Sequence, residues 1–268
     1  MLRTTHDAPV ALDAAVLRRL GDRFGVQTWP VVLDMPVGAA DETAQRLSDR
    51  ENDAAIAALD LVDHDEPVPW LATVLRALSR PEREIEMRSF TETGVRRICL
   101  ARSGYEHVLA ERVGDRLDLA VVEIADLDAV ADLLRSRFDD ATPCEFTSFS
   151  VPTDELVDGL GRSGSATEIT DALYTLGAPL SDAVVISSAF ASCRVRTEIV
   201  ASANEDGRFS RSSGALAVFD TARGRIVSSP SKSPDGRVWT TLSPGSGHRI
   251  AQAVRLLIET LPDGTWST

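Results

Sequence analysis

The chain has 268 residues, of which 43% are hydrophobic and 26% charged, and its 41 acidic against 28 basic side chains give a formal net charge of −13. A chain of this length buries about 70–75% of its unfolded surface and needs no disulfide or metal staple to hold a core. The negative field repels duplex nucleic acid, which excludes general binding to that polyanion.

The opening run Met1-Leu2-Arg3-Thr4-Thr5-His6-Asp7 lacks the apolar stretch of about 7–15 residues that a signal peptide requires. No segment reaches the roughly 18 uninterrupted apolar residues of a membrane-spanning helix. Cys99, Cys144 and Cys193 are odd in number and widely spaced, which fits neither a disulfide framework nor a CxxC metal knuckle. Each sits beside apolar residues, so all three read as buried, inert thiols in a reducing cytoplasm.

In chain order, Leu12, Ala15, Val16, Leu20 and Phe24 recur at helical spacing, which predicts a helix over 12–24 stopped at Gly25. Val26 to Leu33 is apolar and β-branched but broken by Pro30, which predicts an edge strand or a loop. Residues 41–60 read as a helix that buries Ala44, Leu47, Ala54, Ala55, Ala58 and Leu59. Asp60 to Pro69 is an acidic loop, and Trp70 to Leu78 a short helix.

Near residue 84 the period changes. Ile85–Glu92, Val95–Arg102, Tyr105–Val113 and Leu117–Ile124 are extended runs separated by Thr93-Gly94, Ser103-Gly104 and Gly114-Asp115-Arg116. Such short glycine turns fold the chain straight back, so an antiparallel meander is expected. Asp126 then caps a helix over 127–138 with its apolar residues on one stripe. After a short strand at Glu145–Val151 the grammar recurs. Helices are expected at 153–160 and 166–176, the second opened by the capping box Ser165/Glu168. Extended runs follow at Ala183–Ala189, Cys193–Ala203, Gly214–Thr221, Arg225–Ser229 and Val238–Leu242, then a last helix from Ser246 to Leu261 and a strand-like Trp266.

Helices segregated from runs of strands predict an α+β fold with a central antiparallel meander sheet. One sheet shared by both meanders leaves fewest bare edges. The order of elements suggests one domain over 1–268 built as a pseudo-repeat, with half-repeats of roughly 1–150 and 151–268. Residues 1–140 carry a net charge of −10, whereas 194–237 hold eight bases against five acids, so the second meander is the least acidic surface.

Few residues combine into a pattern that carries chemistry. Gly159-Leu160-Gly161-Arg162-Ser163-Gly164 matches G-x-G-x-x-G, but a helix start precedes it where a dinucleotide fold needs a strand, so it reads as a break between helices. The sole lysine, Lys232, lies in a polar loop where nothing depresses its pKa. The histidines His6, His64, His107 and His248 form no HExxH, and Asp63-His64-Asp65-Glu66 lacks the glycine and spacing of a calcium loop. Ser246 and His248 are the one nucleophile-and-base pairing in short range, the basis of an alternative reading as a Ser/His hydrolase. A helix N-cap explains Ser246 as well. A self-associating scaffold is a further alternative.

Val238-Trp239-Thr240-Thr241-Leu242-Ser243-Pro244-Gly245, followed by Arg249-Ile250-Ala251-Gln252-Ala253 and Leu261-Pro262-Asp263-Gly264, resembles the C-terminal motif of the EspG family. Leu20-Gly21-Asp22-Arg23-Phe24 with Trp29-Pro30 and Leu33 is similar to that family's opening. The arginine-rich, lysine-poor composition resembles that of a GC-rich actinobacterium. The resemblance implies a central antiparallel sheet flanked by two helical bundles with quasi-two-fold symmetry. It also implies the role of a cytoplasmic chaperone that binds the apolar tip of a PE–PPE heterodimer and presents it to components of a type VII (ESX) secretion system. It implies no enzymatic activity, no cofactor and no metal. On strand Cys193–Ala203, Val195, Thr197 and Ile199 alternate with Arg194, Arg196, Glu198 and Val200. The second row is expected to face the partner, with Leu216 and Val218 beside it.

Overall fold

The computed structural model describes residues 9–38 and 41–266; the readings of Met1–Asp7 and of His6 lie outside them. The chain opens with β1 (Val10–Asp13) and α1 (Ala14–Arg23), then a 3-10 turn at Val31–Leu33, α2 (Glu42–Ala58), the small hairpin β2 (Val62–Asp63) and β3 (Glu66–Pro67), and α3 (Pro69–Ser79). The first meander is β4 (Arg83–Thr91), β5 (Gly94–Ser103), β6 (Glu106–Val113) and β7 (Arg116–Val122). Next come α4 (Leu127–Arg135), β8 (Phe149–Pro152), α5 (Thr153–Gly161), α6 (Ala166–Thr175) and α7 (Leu180–Ala191). The second run of strands is β9 (Cys193–Glu205), β10 (Arg208–Arg211), β11 (Leu216–Thr221), β12 (Gly224–Lys232) and β13 (Val238–Pro244), closed by α8 (Gly247–Glu259). Eleven strands hydrogen-bond in the order β1-β7-β6-β5-β4-β9-β11-β12-β13-β8, with β10 on β9, so both meanders share one antiparallel ladder as expected.

The chain clusters into two compact units. The first holds the described residues up to Arg88, Gly94–Glu123 and Ala203–Gly207; the second holds Ser89–Thr93, Ile124–Ser202 and the chain from Arg208. In the first, α1 to α3 cover one face of β5 to β7, and the core runs through Leu17, Leu20, Leu71, Val74, Leu78, Cys99, Val108 and Leu117. Four elements there depart from the sequence reading. Residues 10–13 pair with β7 (Val10↔Leu119, Asp13↔Arg116), so the helix expected from Leu12 starts only after Asp13, whose carboxylate accepts the Ala15 amide at 2.8 Å. The stretch Val26–Leu33, expected as edge strand or loop, is loop ending in the 3-10 turn. The acidic loop 60–69 contains the β2–β3 hairpin. Helix α2 buries Asn52 and Ile56, while the expected core residues Leu47 and Leu59 are 55% and 48% exposed. The helix docks through Ile56, with Ala55 packed beside it, and at the exposed margin Arg19 donates to both oxygens of Asp53, each at 2.8 Å.

In the second unit the sheet carries helices on both faces. Register places Val218 opposite Val227 on the face covered by α8, which packs on β11, β12 and α4. Phe219 lies opposite Ile226 on the other face, where Ile226 and Leu242 share a core with Leu173, Ala183 and Ile186 of α6 and α7. Ala183–Ala189 is thus helix, not the strand its Val-Val-Ile run suggests. Ala183, Ile186, Ser187 and Ala189 form its buried side at helical spacing, and packing outweighs the modest helix penalty of β-branched residues. Trp266 is buried without being part of a strand. Asp126 caps α4, and Ser165 with Glu168 closes the expected capping box on α6.

Arg225 of β12 ties this unit together. Its side chain is 5% exposed, donates from Nε to Asp220 Oδ1 at 2.5 Å, and lies 5.4 Å over the Phe138 ring. Its backbone N–H donates to Thr142 at 2.8 Å, and its carbonyl accepts from Cys144 at 2.9 Å and Gly245 at 2.7 Å. Gly224 (φ +110°) and Gly245 make this approach possible: a Cβ on either would stand within 2.6 Å and 2.3 Å of Cys144 N and Arg225 Cγ respectively. Breaking a buried ion pair from one side strands the other charge, so Asp220→Ala is expected to cost about 3–5 kcal/mol in urea unfolding. The double variant Arg225→Met/Asp220→Leu should cost clearly less.

His107 of β6 is buried, and burial, with the Arg102 charge second, brings its pKa from 6.5 down to about 4. The unfolded chain therefore takes up this proton first. Stability is full above pH 6.5 and falls as the pH drops towards 4, by up to about 1.4 kcal/mol per pH unit. His107→Gln should lack that fall when urea midpoints are compared across this window.

Candidate functional site

The site builds up from the alternation of β9. Thr197 and Ile199 are buried, with Thr197 Oγ1 2.8 Å from Ser89 Oγ, whereas Arg196 is exposed and Glu198 and Val200 are half-buried on the opposite row. The alternation holds from Val195 to Val200, but the register shifts between Asp220 and Thr221, opposite Val195 and Cys193, so the expected row is broken at Arg194. Arg196 is held from two sides: its guanidinium sits 4.9 Å over the Phe90 ring, and Nε lies 3.3 Å from Glu198 Oε1. The planar guanidinium is thus held by a ring and a carboxylate while its side chain stays about half-exposed.

Leu216 and Val218 do not join this row. They pair with Ile199 and Thr197, are 0% exposed, and point into the core beneath α8. A one-residue step inverts facing on a strand, so the neighbours of Glu198 and Arg196 on the open side are Ala217 and Phe219. Phe219 packs against Phe190 at the end of α7, with ring centroids 4.9 Å apart and tilted by 58°. Phe90, Phe190 and Phe219 are the residues that sequence reasoning misses. The alternation of 216–221 already splits Ala217 and Phe219 from Leu216 and Val218, but only register says which pair meets the arginines. Arg194 stands apart, exposed on an open pocket of about 390 Å³ shared with Asp139, Asp140 and Asp220.

Next to the row, Cys193 is exposed, contrary to the reading of three buried thiols; Cys99 and Cys144 are buried. Desolvation, with Asp220 second, raises the Cys193 pKa, which disfavours a thiolate nucleophile. Burial raises the Cys144 thiol, and burial with the Glu84 carboxylate raises that of Cys99. Ser246 serves as N-cap of α8, its Oγ accepting the Arg249 amide at 3.2 Å. Exposed His248 lies in the first turn of that helix. No helix among the described residues is long and apolar enough to cross a membrane.

The fold is that of an α+β sheet protein with an exposed strand row that bears arginine and phenylalanine. The family model for the EspG family matches residues 13–255, and the chain belongs to that family. It is 29% identical over 265 residues to the ESX-3 secretion-associated protein EspG3 of Mycobacterium tuberculosis, covering 92% of this chain and 89% of that one. It is 27% identical over 252 residues to the ESX-1 secretion-associated protein EspG1 of Mycobacterium marinum, covering 92% and 86%. Among solved structures it resembles the Mycobacterium tuberculosis type VII secretion system chaperone EspG5, solved in complex with a PE25–PPE41 dimer. The TM-score is 0.81 at 17% identity, over 97% of this chain and 99% of that one, which bears out the α+β fold.

Because Arg196 and Glu198 are about half-exposed, their pairing adds little to folding. Arg196→Ala is expected to change stability by at most about 1 kcal/mol by thermal or urea unfolding. Its effects on binding can then be read without a folding correction.

Proposed function

We propose that this chain is a non-catalytic cytoplasmic chaperone of type VII secretion. It would bind the apolar helical tip of a PE–PPE heterodimer and deliver it to the secretion machinery. The observation that carries this reading is the match to the EspG family along residues 13–255. The structural likeness to a family member solved on a PE–PPE dimer supports it.

Arg196, Glu198 and Val200 are the proposed contact, with Phe90 and Phe219 in place of Leu216 and Val218 and without Arg194, which stands apart. A helical-hairpin tip exposes C-terminal carbonyls of one helix and apolar side chains between the helices. An arginine fixed on an aromatic ring offers donors to the former and a flat surface to the latter. Orientation set before binding lowers the entropy lost on association.

Co-expression with PE–PPE pairs followed by gel filtration tests the function. Co-elution with at least one pair is expected, and failure with every pair would overturn it. Arg196→Glu should weaken that complex about tenfold or more in a titration by calorimetry, as expected for a central interface arginine replaced by the opposite charge. An unchanged affinity would move the contact off this row while leaving the function standing.

A further inference from the structure

Glu198 is the one carboxylate on the β9 row, and it is lightly engaged. Its side chain is 42% exposed, and its one ion pair among the described residues is to Arg196 Nε, 3.3 Å away. The register sets Ala217 of β11 opposite Glu198 and Ser228 of β12 beyond it. The carboxylate therefore stands beside two short, half-buried side chains. Phe219, opposite Arg196, bounds this low lane on the arginine side.

The other charges around the row do not replace Arg196 as its counter-charge. Asp220 is spent on the buried Arg225 from the opposite row of β11. On β4, which carries Phe90, Arg88 pairs with Glu86 at 3.5 Å, and Glu92 is exposed. Arg194 lies beyond the break in the row, and Arg208 and Arg211 belong to β10, beside the far end of β9. A partner that docks here takes Glu198 out of water and draws Arg196 to its own acceptors. A carboxylate desolvated with only a shared counter-charge is costly, so the partner has to bring a cation. A long basic side chain suits the place: its apolar stem lies along Ala217 and its head reaches the carboxylate. An acidic or wholly apolar tip leaves Glu198 unmet, and the same carboxylate rejects it. The net charge of −13 acts in the same direction.

We propose that Glu198 is the specificity-determining residue of the β9 row: the helical tip it accepts carries a lysine or arginine that lies in the Ala217 lane and pairs with Glu198, next to the acceptor that Arg196 meets. This rests on the reading of the row as the PE–PPE contact.

Calorimetric titration of the full chain with the PE–PPE pair that co-elutes tests it. Glu198→Gln removes the charge but keeps an acceptor for Arg196 Nε, so a loss of roughly threefold to tenfold is expected. Glu51→Gln, the same charge change on exposed α2, should bind as the parent chain does. The basic residues of the partner's tip are then changed to glutamate one at a time. One of them should weaken the complex and be restored, to within roughly threefold, by Glu198→Lys. Glu198→Gln binding as tightly as the parent or tighter would make Glu198 a mere tether for Arg196 and overturn the proposal. So would the lack of any tip residue that Glu198→Lys restores, or an equal loss with Glu51→Gln. Arg196→Glu separates the two readings. If it weakens the complex while Glu198→Gln does not, the row stands as the contact and selection by Glu198 falls; if it changes nothing, both fall.

Discussion

Arg225 is the constraint on which the second unit depends. A guanidinium with a 5%-exposed side chain is tolerable only if its charge is met, and here Asp220 meets it on the neighbouring strand while Phe138 covers one face. The same residue's backbone is used in full, binding the 142–144 loop on one side and Gly245 on the other. Strand β12 is thereby locked to the segment that leaves α4 and to the one that enters α8. Two glycines follow from this crowding, since a side chain on Gly224 or Gly245 would collide with Cys144 or with Arg225 itself. The Ser243-Pro244-Gly245-Ser246 segment is therefore conformational punctuation: a close approach, then a cap. That accounts for its residues without catalysis.

Fixing β12 fixes β11, and through β11 the presentation of β9. The register Phe219↔Ile226 and Phe219↔Arg196 links the core beneath α6 and α7 to the open arginine row. Phe219 is shared by the two environments, touching Phe190 of α7 on one side and standing next to Arg196 on the other. The site is thus a continuation of the core to the surface, with aromatic support under an exposed cation. Arg196 gains direction from Phe90 and Glu198 without being buried.

Much of this is legible in the chain. The first meander follows from period-2 runs punctuated by glycine turns, and the capping residues Asp126, Ser165 and Ser246 stand at the helix starts that the sequence marks. The departures share a cause: tertiary context outweighing local pattern. Val184-Val185-Ile186 reads as strand, yet the helix α7 is favoured because Ala183, Ile186, Ser187 and Ala189 face one core. Helix α2 hides its docking face because little more than Ile56 and Asn52 is buried on it, too narrow an apolar stripe to stand out against Leu47 and Leu59. Leu216 and Val218 lie on the side opposite to expectation because a strand's alternation fixes two rows but not their facing. Only pairing with Ile199 and Thr197 does that.

The charge distribution then acquires a physical meaning. A net charge of −13 favours solubility through mutual repulsion, but it also repels any acidic partner unless basic groups are gathered at the contact. The second meander gathers them, and it uses arginine where lysine would serve solubility equally well. Arginine differs from lysine in stacking and in its fixed fork of donors, and this unit holds three cation–ring contacts: Arg196 on Phe90, Arg225 on Phe138 and Arg237 on Trp239. Arg225 uses the contact to survive burial, and Arg196 uses it to hold a direction in solvent. The same side-chain chemistry thus serves as internal fastening where Arg225 lies opposite Asp220 and as an exposed, directed cation where Arg196 lies opposite Phe219.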